Sequence, residues 1–323
     1  MVSFFRLIHE EIQNIIMDIV CSIDNNYVQH CVVMLTSLFE NNRSESHVIH
    51  LLTEGLTPDN RKLIEDLVHS YNGRFCYYLI DSDVLKSCPI KATDHLTIAT
   101  YYRLLMADIL PKSLERILYL DCDIVVNRSI KKLWEIPMRN YALAAVEEMG
   151  CSVPDVYERL QYDSNYGYFN AGVLLVNLRW WREHNLTAVF FSYIEKNFTR
   201  LIAHDQDVLN ALLHDKCLHL SFEWNVEEAF YHYSFIKRFW TTKDVRKILC
   251  NPSIIHYTWK PKPWEASCLH PFRYNYFFYL RKIRWKNNVN GLSLMQNIVC
   301  LKDKYFFCLL LALGIKGHRF YRL

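Results

Sequence analysis

Glycine is scarce in this chain, with 8 among 323 residues, and none lies between Ile19 and Tyr27. The turn after the first predicted strand therefore lacks the glycine-rich fingerprint that cradles a dinucleotide. The eleven cysteines include no Cys-x-x-Cys pair, and their number is odd. That argues against a disulfide framework or a zinc site and fits free thiols in a reducing compartment. Long apolar runs are also missing. The longest, Tyr305–Ile315, is about half of what a membrane span requires. Met1–Ile16 carries Glu10 and Glu11 between short apolar stretches, so it reads as an N-terminal extension rather than a signal peptide. Met17 is an alternative start. No internal repeat, low-complexity segment or recognised nucleic-acid module accompanies the charge, so nucleic acid is not an expected partner.

What is present is apolar and aromatic. Hydrophobic residues make up 51% of the chain and aromatics 15%, enough for one large domain with or without an appendage. The net charge of +3 is unevenly placed. From Pro271 onward ten Lys/Arg face one acid, Asp303, so this tail carries +9 and the rest of the chain −6. An anionic partner for the tail follows.

The most informative segment is Ile117–Val126, Ile-Leu-Tyr-Leu-Asp-Cys-Asp-Ile-Val-Val. Its aliphatic residues predict a buried strand broken by two aspartates at i and i+2. On an extended backbone Asp121 and Asp123 point the same way. Two carboxylates in an apolar segment need a cation, and a divalent metal beside them is a seat for a diphosphate.

The remaining pattern alternates. Strands are expected at Met17–Ile23, His47–Thr53, Arg74–Ile80, Ile117–Leu120 and Ala142–Val146. Helices are expected at Val28–Glu40, from Thr57-Pro58-Asp59 to about Ser70, at Thr100–Leu110 and at His204–Leu213. The polar stretch Gly150–Tyr168 reads as a mobile surface loop. Phe169–Leu175 returns to the sheet, and Ile254–Trp264 is a strand followed by a Pro/Lys-rich loop. This is an α/β chain with a mostly parallel sheet flanked by helices. The organisation is an extension over 1–16, a catalytic domain over 17–270 and a basic, aromatic tail over 271–323.

Six segments stand in a telling order. They are the polar turn Asp24-Asn25-Asn26-Tyr27, Thr100-Tyr101-Tyr102-Arg103, Asp121-Cys122-Asp123, Phe169-Asn170-Ala171-Gly172-Val173, His204-Asp205-Gln206-Asp207, and His256-Tyr257-Thr258 before Lys262-Pro263-Trp264. From Met17 to Trp264 the chain resembles glycosyltransferase family 8. These retaining enzymes include bacterial lipopolysaccharide galactosyl- and glucosyltransferases and glycogenin. The resemblance implies a GT-A fold, a Rossmann-like nucleotide-binding mixed sheet between helices. It also implies that Asp121, Asp123 and His256 ligate Mn2+, with Mg2+ as the alternative. Ser22, Asp24, Asn26 and Tyr27 would bind the nucleotide. Arg103, Cys122, Ala171 and Lys262 would contact the donor together with the aspartate pair. Asn170, Asp205 and Gln206 would line the reacting sugar, and Thr100 and Glu148 are weaker candidates for sugar or acceptor contacts. The family has a glycine where this chain has Trp259, so the phosphate loop either takes another path or Trp259 closes over the donor.

The implied enzyme is a hexosyltransferase moving galactose or glucose from a UDP-sugar to lipopolysaccharide or another surface glycan, with a lipid-linked or glycan acceptor. Glutamine is a poor nucleophile, which favours front-face attack over double displacement. The basic aromatic tail suits a membrane surface, so the expected location is cytoplasmic, peripheral on the inner face of the cell membrane. Two other readings compete. A sugar-phosphate nucleotidylyltransferase would need the glycine-rich loop that is missing. A degenerate, membrane-associated scaffold has Trp259 as its only support.

Overall fold

The computed structural model describes residues 15–86, 88–89, 98–148, 155–231, 242–283 and 293–313. β1 (Ile16–Ser22), β2 (Ser46–Thr53) and β3 (Arg74–Leu79) run parallel, connected by α1 (Val28–Asn41) and α2 (Pro58–Ser70). Thr57 caps α2 and Pro58 opens it, as the sequence signals. β4 (Arg116–Leu120) pairs parallel with β1 on its other side. The chain order therefore reverses between β1 and β4, the switch point where open α/β sheets bind ligands. β5 (Ile124–Val126) leaves this sheet. β6 (Leu143–Ala145), β7 (Val173–Asn177) and β8 (Cys217–His219) complete it in the order β3-β2-β1-β4-β7-β6-β8. β7 is antiparallel to both β4 and β6, so the sheet is mixed. A second sheet joins β5 to β9 (Val226–Glu227) and β10 (Ile254–His256), with β10 in the middle.

Among the described residues, α3 (Met106–Ile109), α4 (Lys131–Trp134), α5 (Val156–Leu160), α6 (Leu178–Glu183), α7 (Leu186–Asn197) and α8 (His204–Leu213) follow in chain order. Apolar residues alternate across the strands into two cores. One holds α1 and the second sheet, and the other holds α6, α7 and α8.

Three expectations change. Thr100–Leu110 is not one α-helix. Ile98–Leu105 is 3-10, followed by α3. The tighter pitch eclipses i and i+3, which brings Thr100 and Arg103 to one side. The aspartate pair is not extended either. β4 stops at Leu120 and the chain bends before β5, because Ile124–Val126 must turn to pair with β10. In Gly150–Tyr168, residues 150–154 lie outside the described ones. The rest is anchored rather than a mobile loop: α5 forms, Arg159 bonds Asp207 at 2.6 and 2.9 Å, and Tyr168 is buried with its hydroxyl on Asp207.

Beyond residue 270, the helix Arg273–Lys282 packs on α1. Phe272, Tyr276, Phe277, Tyr279 and Leu280 belong to the same core as β1. The last helix among the described residues spans Leu294–Ala312. Arg284, Lys286, Lys316, Arg319 and Arg322 lie outside the described residues, as does most of the N-terminal extension. No helix among the described residues is long and apolar enough to cross a membrane.

Candidate active site

A cavity of about 210 Å³ opens at the carboxyl ends of β1 and β4. Ser22, Asp24 and Tyr27 line it from the end of β1, Asp121, Cys122 and Asp123 from the end of β4, and Thr100, Arg103, Ala171, Asp205 and Gln206 from the 3-10 helix, the approach to β7 and α8. Pairing of β10 with β5 sets His256 opposite Ile124, beside the aspartates, from more than a hundred residues away. One ligand atom from each of Asp121, Asp123 and His256 lies within 4.8 Å of the others. His256 Nε2 is 3.2 Å from Asp123 Oδ1 and 4.0 Å from Asp121 Oδ2. Two carboxylates and one imidazole are a suitable donor set for a hard to borderline divalent ion such as Mn2+.

The closeness depends on Gly172. A methyl group there would come within 2.2 Å of His256 Cε1 and 2.7 Å of Asp121 Oδ2. The backbone cannot move aside freely, because Asp121 N–H donates to Gly172 O at 2.8 Å. Lys262 Nζ donates to Asp123 Oδ2 at 2.6 Å and to the Tyr257 carbonyl at 2.5 Å. Burial by itself would raise the Asp123 carboxyl. Lys262 and His256 outweigh it and hold the group well below the usual carboxylate range.

Arg103 is buried between two acids. Its Nη2 donates to Asp121 Oδ1 at 2.8 Å, its Nε lies 2.9 Å from Asp205 Oδ2, and its Nη1 donates to the Ala171 carbonyl. Burial disfavours the guanidinium charge, but Asp121 and Asp205 more than restore it. Burial pushes the Asp205 carboxyl up, against the pull of Arg103 and of the Thr100 hydroxyl, which donates to Asp205. Asp205 and Gln206 open α8. Asp207 pins that end by accepting from Ile202 N–H and Ala203 N–H at 2.7 and 2.8 Å. His204, at φ 50°, holds a left-handed turn just before them.

Gln206 is fixed at both ends. Ala171 N–H donates to its Oε1 at 2.9 Å, and its Nε2 donates to Glu148 at 3.3 Å. Glu148 also accepts from Asn170 Nδ2 at 2.8 Å. Glu148 and Asn170 thus support Gln206 from behind the cavity wall. The structure brings together nearly every residue singled out from the sequence. Glu148, Asn170, His256 and Lys262 do not line the cavity but bond or ion-pair with residues that do, whereas Asn26 is exposed and its backbone serves the Asp24 cap. Trp259 is half-buried against the main core and does not line the cavity. The Cys122 thiol turns toward buried Cys21 and Cys31, all within 4.8 Å. Such thiols pack as small apolar groups.

Sequence reasoning assigned no role to Gly172 or Asn225. Gly172 stood inside a quoted motif. Asn225, a fully buried amide touching His256, gives no local signal between Trp224 and Val226.

Residues 18–268 match the model of glycosyl transferase family 8. General stress protein A of Bacillus subtilis is 31% identical over 87% of this chain and 98% of its own length. The lipopolysaccharide glucosyltransferase WaaO of Escherichia coli is 29% identical over 79% of this chain and 74% of its own. The galactosyltransferase LgtC, solved with donor and acceptor sugar analogues, superposes with a TM-score of 0.74 at 23% identity. The match covers 83% of this chain and 97% of that one, and it shows the GT-A-like fold.

Proposed function

The chain belongs to glycosyl transferase family 8 and is a glycosyltransferase, and on that premise we propose that it transfers galactose or glucose from a UDP-sugar to a surface-glycan acceptor of the lipopolysaccharide kind. The convergence of Asp121, Asp123 and His256 beside a cavity lined by the two aspartates, Arg103, Asp205 and Gln206 carries this reading. A divalent ion, Mn2+ in this proposal, would neutralise the diphosphate as it leaves. Ser22, Asp24 and Tyr27 stand where the nucleoside would lie, with Tyr27 edge-on to Trp264. Lys262 reaches the Asp123 side of the cavity and offers a mobile positive charge to the departing phosphate.

Retention without a covalent step suits these side chains. The Gln206 amide is fixed and weakly nucleophilic. The Asp205 carboxylate is engaged by Arg103 and Thr100. Front-face attack needs no protein base, because the leaving phosphate oxygen takes the acceptor proton. Gln206 then stabilises the oxocarbenium-like sugar from the opposite face. Relatives named as lipopolysaccharide glucosyl- and galactosyltransferases support the acceptor class.

The last helix supports peripheral attachment to the inner face of the cell membrane. Leu294, Met295, Ile298, Tyr305 and Leu309 are exposed along it, within the basic tail. The deciding experiment measures UDP release from a panel of UDP-sugars, with and without Mn2+, for wild type and Asp123→Ala. Mn2+-dependent release from one sugar, lost in the variant, is expected. Absence of both release and UDP binding would favour the scaffold reading.

A further inference from the structure

Asn225 is fully buried between the metal-ligand candidates and the sugar side of the cavity. Its contacts fix the direction of a hydrogen-bond chain by donor and acceptor chemistry alone. The Glu148 carboxylate is an acceptor, so the Asn170 end that meets it at 2.8 Å is the Nδ2 amide. Asn170 Oδ1 then faces the other way, where Gly172 N–H donates to it at 2.8 Å. Asn225 meets that same oxygen at 2.9 Å and must present its own Nδ2. Its Oδ1 is left for His256 Nδ1, 2.9 Å away, and accepts a proton from it. The remaining His256 nitrogen, Nε2, faces Asp121 and Asp123 and is the one that would offer its lone pair to an ion held between them.

We propose that Asn225 is a positioning residue that fixes His256 as an Nε2 ligand and locks it in register with Asn170, Glu148 and Gln206. The inference rests on the metal reading given above. Glu148 also accepts from Gln206, so one chain of bonds runs from the metal ligand to the residue assigned to the sugar's reacting carbon. Hydrogen bonds of this kind orient metal-bound imidazoles and typically affect metal affinity about 10–100-fold.

The test is Mn2+ titration of the full chain in the presence of UDP, read as free Mn2+ by electron paramagnetic resonance, beside steady-state kinetics. Asn225→Ala removes both bonds and should weaken Mn2+ binding by about 10–100-fold. Asn225→Asp keeps the acceptor for His256 but confronts Asn170 Oδ1 with a second acceptor. It should hold Mn2+ within about threefold of wild type, as carboxylate–histidine–metal arrangements do. Its kcat should fall about tenfold or more, for loss of one charge-free buried bond plus repulsion, with little change in KM. A merely structural residue would lower both readouts together, in step with melting temperature. Wild-type Mn2+ affinity in Asn225→Ala overturns the proposal, as does equal loss in both variants. Failure of wild type to bind Mn2+ overturns the metal reading instead. If Asn225→Ala does not fold, Asn225→Asp decides alone. Retained Mn2+ with lowered kcat supports the proposal, and lost Mn2+ overturns it.

Discussion

Gly172→Ala tests whether the metal-ligand geometry is set by the absence of one side chain. The added carbon would lie 2.2 Å from His256 Cε1, 2.7 Å from Asp121 Oδ2 and 3.0 Å from His256 Nδ1. Ordinary carbon contacts are about 3.5–4.0 Å, so the imidazole must retreat by at least about 1.3 Å. Gly172 does not have a left-handed backbone, so the substitution introduces no φ strain of its own. Its carbonyl is held by Asp121 N–H and its N–H by Asn170, so the side chains have to yield first. A misplacement of about 1 Å costs on the order of 100-fold in rate, or about 2.7 kcal/mol of transition-state stabilisation. The assay is UDP release from the active donor, run beside Mn2+ binding and thermal melting. We expect kcat/KM to fall by about 100-fold or more, with weakened Mn2+ binding. Adding His256→Ala to Gly172→Ala should recover part of the melting temperature, because the 2.2 Å contact is removed while the 2.7 Å contact with Asp121 stays, without recovering activity. Activity and Mn2+ affinity both close to wild type in Gly172→Ala would refute the reasoning.

Arg103→Lys keeps the charge but cannot reach Asp121, Asp205 and the Ala171 carbonyl at once. Losing one charge-assisted bond, about 1.5–3 kcal/mol, predicts kcat/KM about 10–100-fold lower. Arg103→Ala leaves the buried Asp205 carboxyl unpaired and should cost about 3–5 kcal/mol in urea unfolding, whereas a loss below 1 kcal/mol would contradict that pairing. Burial lowers His30 to about 4 from 6.5, where it stacks on Trp264 at 3.5 Å and meets the Tyr276 hydroxyl at 2.7 Å. A depressed histidine lends stability above its unfolded pKa and loses it as pH falls through the folded one. Unfolding free energy should therefore drop by about 3 kcal/mol between pH 6.5 and 4 on account of this group. His30→Gln should flatten that part of the curve, measured against His47, which burial places in the same window.

How much of the site was legible follows from where each residue's signal lies. Asp121 and Asp123 were readable because carboxylates are costly inside an aliphatic run, and the turn at Asp24 because it ends a strand. The extended strand expected across them was wrong, because β4 stops at Leu120, although their expected convergence was right. What bends the chain is β10, and nothing in Ile117–Val126 announces a partner more than a hundred residues away. Thr100–Leu110 shows the same limit in another form. Its apolar spacing fits an α-helix, yet the 3-10 pitch wins where Thr100 and Arg103 must both reach Asp205. The alternation of strands and helices fixed the layers, but the antiparallel β7 could not be read from it. β7 matters because it carries Asn170, Ala171 and Gly172 back beside the aspartates.

Asn225 marks the deepest gap. A single asparagine between Trp224 and Val226 looks like a turn residue by composition. Its meaning appears only when His256, Asn170 and Gly172 are all in place, since its side-chain bonds to His256 and Asn170 cross 31 and 55 positions of sequence. Metal ligands leave a trace in sequence because the ion demands their chemistry. The residue that orients a ligand is demanded by a geometry the sequence builds elsewhere. Supporting residues of this kind have to be found by following buried donors and acceptors outward from the ligands.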